Sequence, residues 1–350
     1  MNTPADLGYA MPAEWHHHEA TWLAWPKDPI TWPDRVPQVE SIFLRMIALL
    51  SAEERVELLV DDAASEASVR ERLKTLPANP SNVQFHQIPT VDSWIRDYGP
   101  NFLLRGKGSS VELAFNHWIF NAWGGKYEEL KKDADIPPRI APLLGVPRFV
   151  PGIVLEGGSI DVNGAGTCLT TEQCLLNPNR NPSLSKEEIE GYLKKYLGVT
   201  QVIWLGQGIA GDDTDGHVDD IARFVAPETI ACAVEEDPAD ENYELLEDNF
   251  NRLRHARDIS GKPFKTVRLP MPGRVDGQEG RLPASYANFY IANGIVLAPV
   301  FGHPNDARAV RIVQDLVPGR RVVGINCEPL VWGLGAIHCV TQQQPARNKT

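Results

Sequence analysis

Cysteine is scarce in this chain: five residues among 350, at Cys168, Cys174, Cys232, Cys327 and Cys339, an odd number without CxxC spacing. Such a set excludes a disulfide framework and a zinc ribbon and leaves most of the thiols as small apolar side chains. Basic blocks are missing too. With 34 Lys and Arg against 46 Asp and Glu, the formal net charge is −12, and nothing in the chain is suited to neutralise nucleic-acid phosphates or an anionic lipid surface. Apolar runs such as Ile295 to Phe301 stop short of the ~18–20 residues of a transmembrane helix. The stretch from Met1 to Trp25 has no basic segment leading into an apolar run of ~7–15 residues. A cytoplasmic protein without membrane or nucleic-acid partners is expected. No Pro/Gly/Ser-rich linker or low-complexity segment marks a boundary, so residues 1–350 are read as one catalytic domain.

Helix and strand signals alternate regularly. Val39, Ile42, Phe43, Met46, Ile47 and Leu50 recur at helical spacing, and the strand-like Val56 to Val60 follows. A second pair spans Glu66 to Leu76 and Val83 to Ile88. Thr167 to Thr171 and Cys174 to Leu176 are strand-like; Ser185 to Glu188 forms a capping box for a helix to Leu197, before a strand from Gln201 to Leu205. A hairpin from Ile221 to Ala226 and Thr229 to Val234 precedes a helix over Asp240 to Ala256 and a strand over Lys265 to Leu269. Asn288 to Ala292 and Ile295 to Pro299 flank the turn signal Asn293-Gly294, before a helix from Pro304 to Leu316 and a strand from Arg321 to Ile325. The strand-strand-helix-strand pattern repeats about every 65 residues, and five such units would span the chain. Two architectures fit it: a five-unit pseudosymmetric α/β propeller, or an ordinary α/β sandwich with similar connection lengths.

Four segments are too peculiar in composition for ordinary loops: Asp92 to Pro100, Glu156 to Ser159, Asp212 to Asp220, and Trp332 to Cys339. Asp97 to Glu156 spans 59 residues, Glu156 to His217 spans 61, and His217 to Cys339 spans 122, twice 61. In a ring of repeats these residues take equivalent places and face one axis, with an empty slot near residue 278, just before Ser285 to Asn288.

The set holds a thiol, an imidazole and several carboxylates. A thiol nucleophile needs a base or cation to reach its thiolate form, and His217 can serve Cys339 in this way. Carboxylates around a thiol disfavour the thiolate unless the substrate is a cation. A guanidinium fits, because its planar fork of donors pairs with carboxylates two at a time. Asp97, Glu156 and Asp219 are therefore expected to clamp a guanidinium against Cys339. Attack on its carbon, with His217 protonating the departing nitrogen and then activating water, gives ammonia and a ureido product.

The motifs Met11-Pro12-Ala13-Glu14-Trp15, His18-Glu19-Ala20-Thr21-Trp22, Trp94-x-Arg96-Asp97-x-Gly99-Pro100, Phe120-Asn121-Ala122-Trp123-Gly124-Gly125, Glu156-Gly157-Gly158, Glu172 to Pro182, Gly216-His217-Val218-Asp219 and His338 to Pro345 resemble the agmatine deiminase family over residues 11 to 346. The resemblance implies the five-unit propeller of the guanidino-group-modifying superfamily. It implies hydrolysis of agmatine to N-carbamoylputrescine and ammonia with no cofactor and no metal. It also implies Cys339 as nucleophile, His217 as general acid/base, Asp97, Glu156 and Asp219 as guanidinium ligands, and Trp94 lining the site. Asp213 stands where the family usually has a Glu for the distal amine, and Gly335-Ala336 where it usually has Gly-Asn. The expected partner is a small cationic substrate; a homo-oligomer is left open. The related branch acting on peptidylarginine needs cations for a carboxylate, and Asn116 to Ile119 contains no Arg.

Competing readings attach to several of these residues. His217 and Asp219 beside Asp212, Asp213, Asp215 and Asp220 suit a divalent metal, which would make a metallohydrolase. A non-catalytic cation-binding propeller would keep the acids and tryptophans without needing Cys339. Arg96 is expected to pair with Asp97, Glu156 to cap the Gly157-Gly158 turn in its bland reading, Trp123 to pack, and the His16-His17-His18 run to be native sequence.

Overall fold

The computed structural model of the protein describes residues 2–106, 110–278 and 280–347. Among these, four sheets repeat one three-strand order. Their strands are Asn101–Arg105, Glu112–Asn116 and Arg148–Phe149; Asp161–Val162, Thr167–Thr171 and Gln201–Leu205; Ala222–Ala226, Thr229–Val234 and Lys265–Pro270; and Tyr290–Ile291, Ile295–Val300 and Arg321–Asn326. In each sheet the first two strands form an antiparallel hairpin. The third joins parallel to the second, which requires a crossover connection. Helices Ile136–Leu144, Lys186–Leu197, Tyr243–His255 and Asp306–Leu316 lie in those crossovers.

The remaining sheet joins the two ends of the chain. Its order is Gln342–Pro345, His18–Ala24, Arg55–Val60, Val83–Gln87. The last strand of the chain lies antiparallel to the first, so it supplies the hairpin partner that the other units draw from their own neighbouring segment. Helices Val36–Leu50 and Ala63–Leu73 make two successive parallel crossovers here. The result is five small α/β units, a propeller-like arrangement, rather than the sandwich left open by the periodicity alone.

Local chemistry explains most of the boundaries. Val39, Ile42, Phe43, Met46, Ile47 and Leu50 are all buried on one face of the first helix. The Ser185/Glu188 capping box forms, and Gly198, at φ 68°, ends that helix in the left-handed region that glycine adopts without strain. Two expectations need correction. Glu172–Leu175 is a short helix, not a strand, because the Thr171 side chain accepts the backbone N–H of Cys174 and caps a turn. The strand expected over Asn288 to Ala292 shrinks to Tyr290–Ile291, because Asn288 turns both its backbone carbonyl and its side-chain oxygen to the N–H of His338. No helix among the described residues is long and apolar enough to cross a membrane.

Candidate active site

Each unit delivers one or two chemically distinctive residues just before a hairpin strand. Asp97 lies in the short helix Ile95–Tyr98, before the strand at Asn101; Glu156 precedes the strand at Asp161; His217 and Asp219 precede Ala222; Cys339 precedes Gln342. The fifth unit follows the same rule with Asn288, two residues before Tyr290. The slot expected near residue 278 is corrected accordingly: Gln278 is exposed, and the longer loop of this unit moves the equivalent position to Asn288. Its side-chain amide donates to Cys339 Sγ at 3.1 Å and to Asp220 Oδ1 at 2.9 Å.

These residues gather at a cavity of about 870 Å³. Trp94, Asp97, Asp213 and Cys339 line it, whereas Glu156, His217 and Asp219 lie outside its lining and are fully or almost fully buried. Asp97 accepts the Gly158 backbone N–H on Oδ1 and the Trp123 indole N–H on Oδ2, each at 2.9 Å. Its Oδ1 is 3.8 Å from His217 Nδ1. Asp219 Oδ2 lies 3.9 Å from Cys339 Sγ and 2.6 Å from His338 Nδ1, and its other oxygen has no hydrogen-bond partner among the described residues. Gly158 makes this convergence sterically feasible: a Cβ there would sit 2.5 Å from His217 Nδ1 and 3.0 Å from Asp97 Oδ1. At Gly335 a Cβ would meet the Trp94 ring at 2.6 Å, so this glycine lets the tryptophan pack against the nucleophile loop.

Burial, only partly offset by cations, sets the protonation of the site. It pushes the Cys339 thiol well above its usual range, and Asp219, Asp220 and Asp97 add to the effect. Asp97 is raised by burial and by Asp219 and Glu156. His217 is held down to about 3, first by burial and then by Arg180, against the opposing pull of Asp219. Asp219 is the exception: burial opposes ionisation, but the His338 hydrogen bond and charge hold its carboxyl below the usual value. The site therefore contains a protonated thiol, a neutral imidazole and, at Asp97, an acid with no Lys or Arg paired to it among the described residues, a set that a bound cation would reorganise.

Several expected pairings come out differently. Arg96 does not pair with Asp97; it lies 3.6 Å from Glu14 and donates to the His338 carbonyl and the Gln343 side chain. Glu156 makes no side-chain cap on the Gly157-Gly158 turn and instead takes Arg180 Nε at 2.6 Å. The acids of the metal reading are used individually. Asp212 accepts from Thr214, Gly216 and His217, Asp215 pairs with Arg180 and Lys126, and Asp213 accepts the Tyr127 hydroxyl at 2.6 Å. Donor atoms do converge within 4.8 Å in two triplets, Glu156/Cys174/His217 and Asp219/Asp220/Cys339. The protein already pairs Glu156 with Arg180, Asp219 with His338 and Asp220 with Asn288.

Four residues gained no site role from sequence. Asn288 sits off the 61-residue interval; Arg180 and His338 lie inside the quoted motifs but carried no separate signal; Trp123 was read as packing. The motif Phe120 to Gly125 held the one clue to the last. Ala122 and Trp123 adopt φ of 55° and 53°, a conformation non-glycine residues take at a cost, and it turns the indole toward Asp97.

A profile of the Porphyromonas-type peptidyl-arginine deiminase family matches residues 10–345. An agmatine deiminase of Medicago truncatula is 40% identical over 375 residues, covering 99% of this chain and 98% of that protein. One from Ectopseudomonas mendocina is 39% identical, covering 98% and 97%. The solved agmatine deiminase of Enterococcus faecalis superposes with a TM-score of 0.91 at 35% identity, covering 99% of this chain and 98% of that one.

Proposed function

We infer the function from the premise that this chain belongs to the Porphyromonas-type peptidyl-arginine deiminase family, within which it is similar over nearly its whole length to agmatine deiminases. It is a hydrolase that converts agmatine to N-carbamoylputrescine and ammonia. The observation that carries the reading is that Cys339 and Asp97 line the cavity, with Asp219 buried behind Cys339 at 3.9 Å and no Lys or Arg paired to Asp97 among the described residues. A cation of guanidinium shape supplies the missing charge.

In this reading Asp97 and Asp219 grip the guanidinium N–H groups, and its charge draws the Cys339 proton onto neutral His217. The thiolate attacks the guanidinium carbon. His217 returns that proton to one nitrogen, the C–N bond breaks and ammonia leaves, giving a thiouronium joined to Sγ. His217 then takes a proton from water and hydroxide adds to the same carbon; the C–S bond breaks, the added hydroxyl gives up its proton to solvent, where it converts the released ammonia to ammonium, and the neutral ureido product departs as the His217 proton returns to sulfur. Asn288 steadies Sγ throughout. Glu156, expected as a ligand, is better placed to support His217, since Arg180 occupies one of its oxygens. Trp94 forms the apolar wall and Asp213 the acidic site for the distal amine. Residues 1–350 act as one catalytic domain of a cytoplasmic enzyme.

The related peptidylarginine reaction needs a free cation for a carboxylate. Lys27 is the basic residue on the cavity wall, and Asp61 pairs with it. Incubating the purified protein with agmatine, free arginine and a peptide ending in arginine, and measuring ammonia and ureido product, tests the reading: turnover of agmatine well above the other two is expected, and turnover confined to arginine or the peptide refutes it.

A further inference from the structure

His338 precedes the nucleophile in sequence, yet no step above uses it. Its ring is buried, with Nδ1 2.6 Å from Asp219 Oδ2 and Nε2 2.7 Å from Glu14 Oε2. A neutral imidazole has one N–H donor and one bare nitrogen, so it would set a lone pair against one of these carboxylates; the doubly protonated ring donates to both. Glu14 is itself held by Arg223 at 2.8 Å and Arg96 at 3.6 Å; burial opposes its ionisation, but Arg223, His338 and then Arg96 keep its carboxyl well below the usual range. Charges of alternating sign thus run from Arg223 through Glu14 and His338 to Asp219.

We propose that His338 is a positioning residue of the guanidinium site: as an imidazolium held between Glu14 and Asp219, it keeps Asp219 ionised and leaves Asp219 Oδ1 free to accept a substrate N–H. The inference rests on the reading of Asp219 as a guanidinium ligand. Groups from every side face this carboxylate. His338 and Cys339 come from the loop before the last strand, His217 and Asp220 from its own turn, Asp97 from the short helix Ile95–Tyr98, and Arg223 from the strand Ala222–Ala226. Asp97, Asp220 and Cys339 all favour a proton on Asp219; His338 makes the closest cationic contact that opposes them. The unpartnered, buried Oδ1 is the atom this arrangement leaves for a ligand. Glu14, in a motif with no assigned task, thereby links the N-terminal segment to the reacting centre.

His338→Asn retains a donor near the Nδ1 position and removes the charge. Two readouts between about pH 3 and pH 9 follow the consequence: kcat/KM for agmatine, and the rate of Cys339 alkylation by cationic chloroacetamidine relative to neutral iodoacetamide. Losing one opposite charge at hydrogen-bond distance should move the acidic limb of both profiles up by about 1–3 pH units, with recovery at high pH. A limb left in its wild-type position, whether or not the rate falls uniformly, overturns the proposal. If the Asn variant does not fold, Glu14→Gln reads the same chain from its other end, with a smaller shift in the same direction expected and an unmoved limb again overturning it. Should agmatine prove not to be the substrate, wild-type protein will fail to release ammonia from it, while the alkylation ratio still decides the role of His338.

Discussion

The indole N–H of Trp123 donates to Asp97 Oδ2 at 2.9 Å, while the Gly158 N–H holds Oδ1 at the same distance. Two neutral donors from different units thus fix a buried carboxyl without bringing a counter-charge, which leaves that role for a ligand. Trp123→Phe keeps the ring and removes one donor. A hydrogen bond to a charged group is worth about 1.5–3 kcal/mol, so kcat/KM for agmatine should fall about 10- to 100-fold. Steady-state kinetics measure this, and a loss below threefold would show that the indole merely packs.

Cys339→Ala should end ammonia release while leaving agmatine binding measurable by titration calorimetry. The carboxylates, not the sulfur, supply the cation's counter-charge. Full turnover by this variant is incompatible with covalent catalysis at residue 339.

Gly158→Ala introduces a methyl group 2.5 Å from His217 Nδ1 and 3.0 Å from Asp97 Oδ1. Gly158 has a negative φ, so the backbone tolerates alanine and the damage falls on the reacting groups. Activity should drop by at least about 100-fold, the scale of displaced catalytic groups, with a far smaller relative change in thermal midpoint. Near-normal activity would mean that these groups do not converge here during turnover.

Binding of a guanidinium should release protons. Burial raises both Asp97 and Cys339, so these groups keep their protons to higher pH in the free site than in solution, and an incoming cation expels protons by favouring the charged forms. Titration of Cys339→Ala with agmatine in buffers of different ionisation enthalpy reads the Asp97 contribution, and wild type with a non-reacting guanidinium adds that of the thiol. Heats independent of the buffer would contradict it.

Asp92 links Thr31 at the cavity mouth with the Trp94 indole, at 2.6 Å and 2.9 Å, and burial pushes its carboxyl up to about 7. Its folded value lies above its unfolded one, so between about pH 4 and pH 7 the native state binds more protons and this group's contribution to stability falls as pH rises. Asn has no such dependence. The thermal midpoint of Asp92→Asn relative to wild type should therefore rise from pH 5 to pH 8; a constant or falling difference refutes the assignment.

Local signals were readable wherever they depend on near neighbours in sequence. The Gln201–Leu205 and Thr229–Val234 strands follow from short apolar, β-branched runs between turn signals, and the Ser185 cap from capping chemistry. The error at Cys174 to Leu176 arose because a three-residue apolar run looks the same in a strand or a capped turn, and only the Thr171 hydroxyl decides it.

By itself the sequence determined the repeat, the acidic balance, and the thiol, imidazole and carboxylates set before successive hairpins, because periodicity and residue chemistry are local properties. Pairing of charged groups is not local. That Arg180 takes Glu156, that Arg96 turns to Glu14, and that His338 lies between Glu14 and Asp219 depends on residues 24, 82 and up to 324 positions apart meeting in a dry interior. There each buried charge must find a partner, and the tertiary structure alone settles which acids are paired off and which remain for a cation.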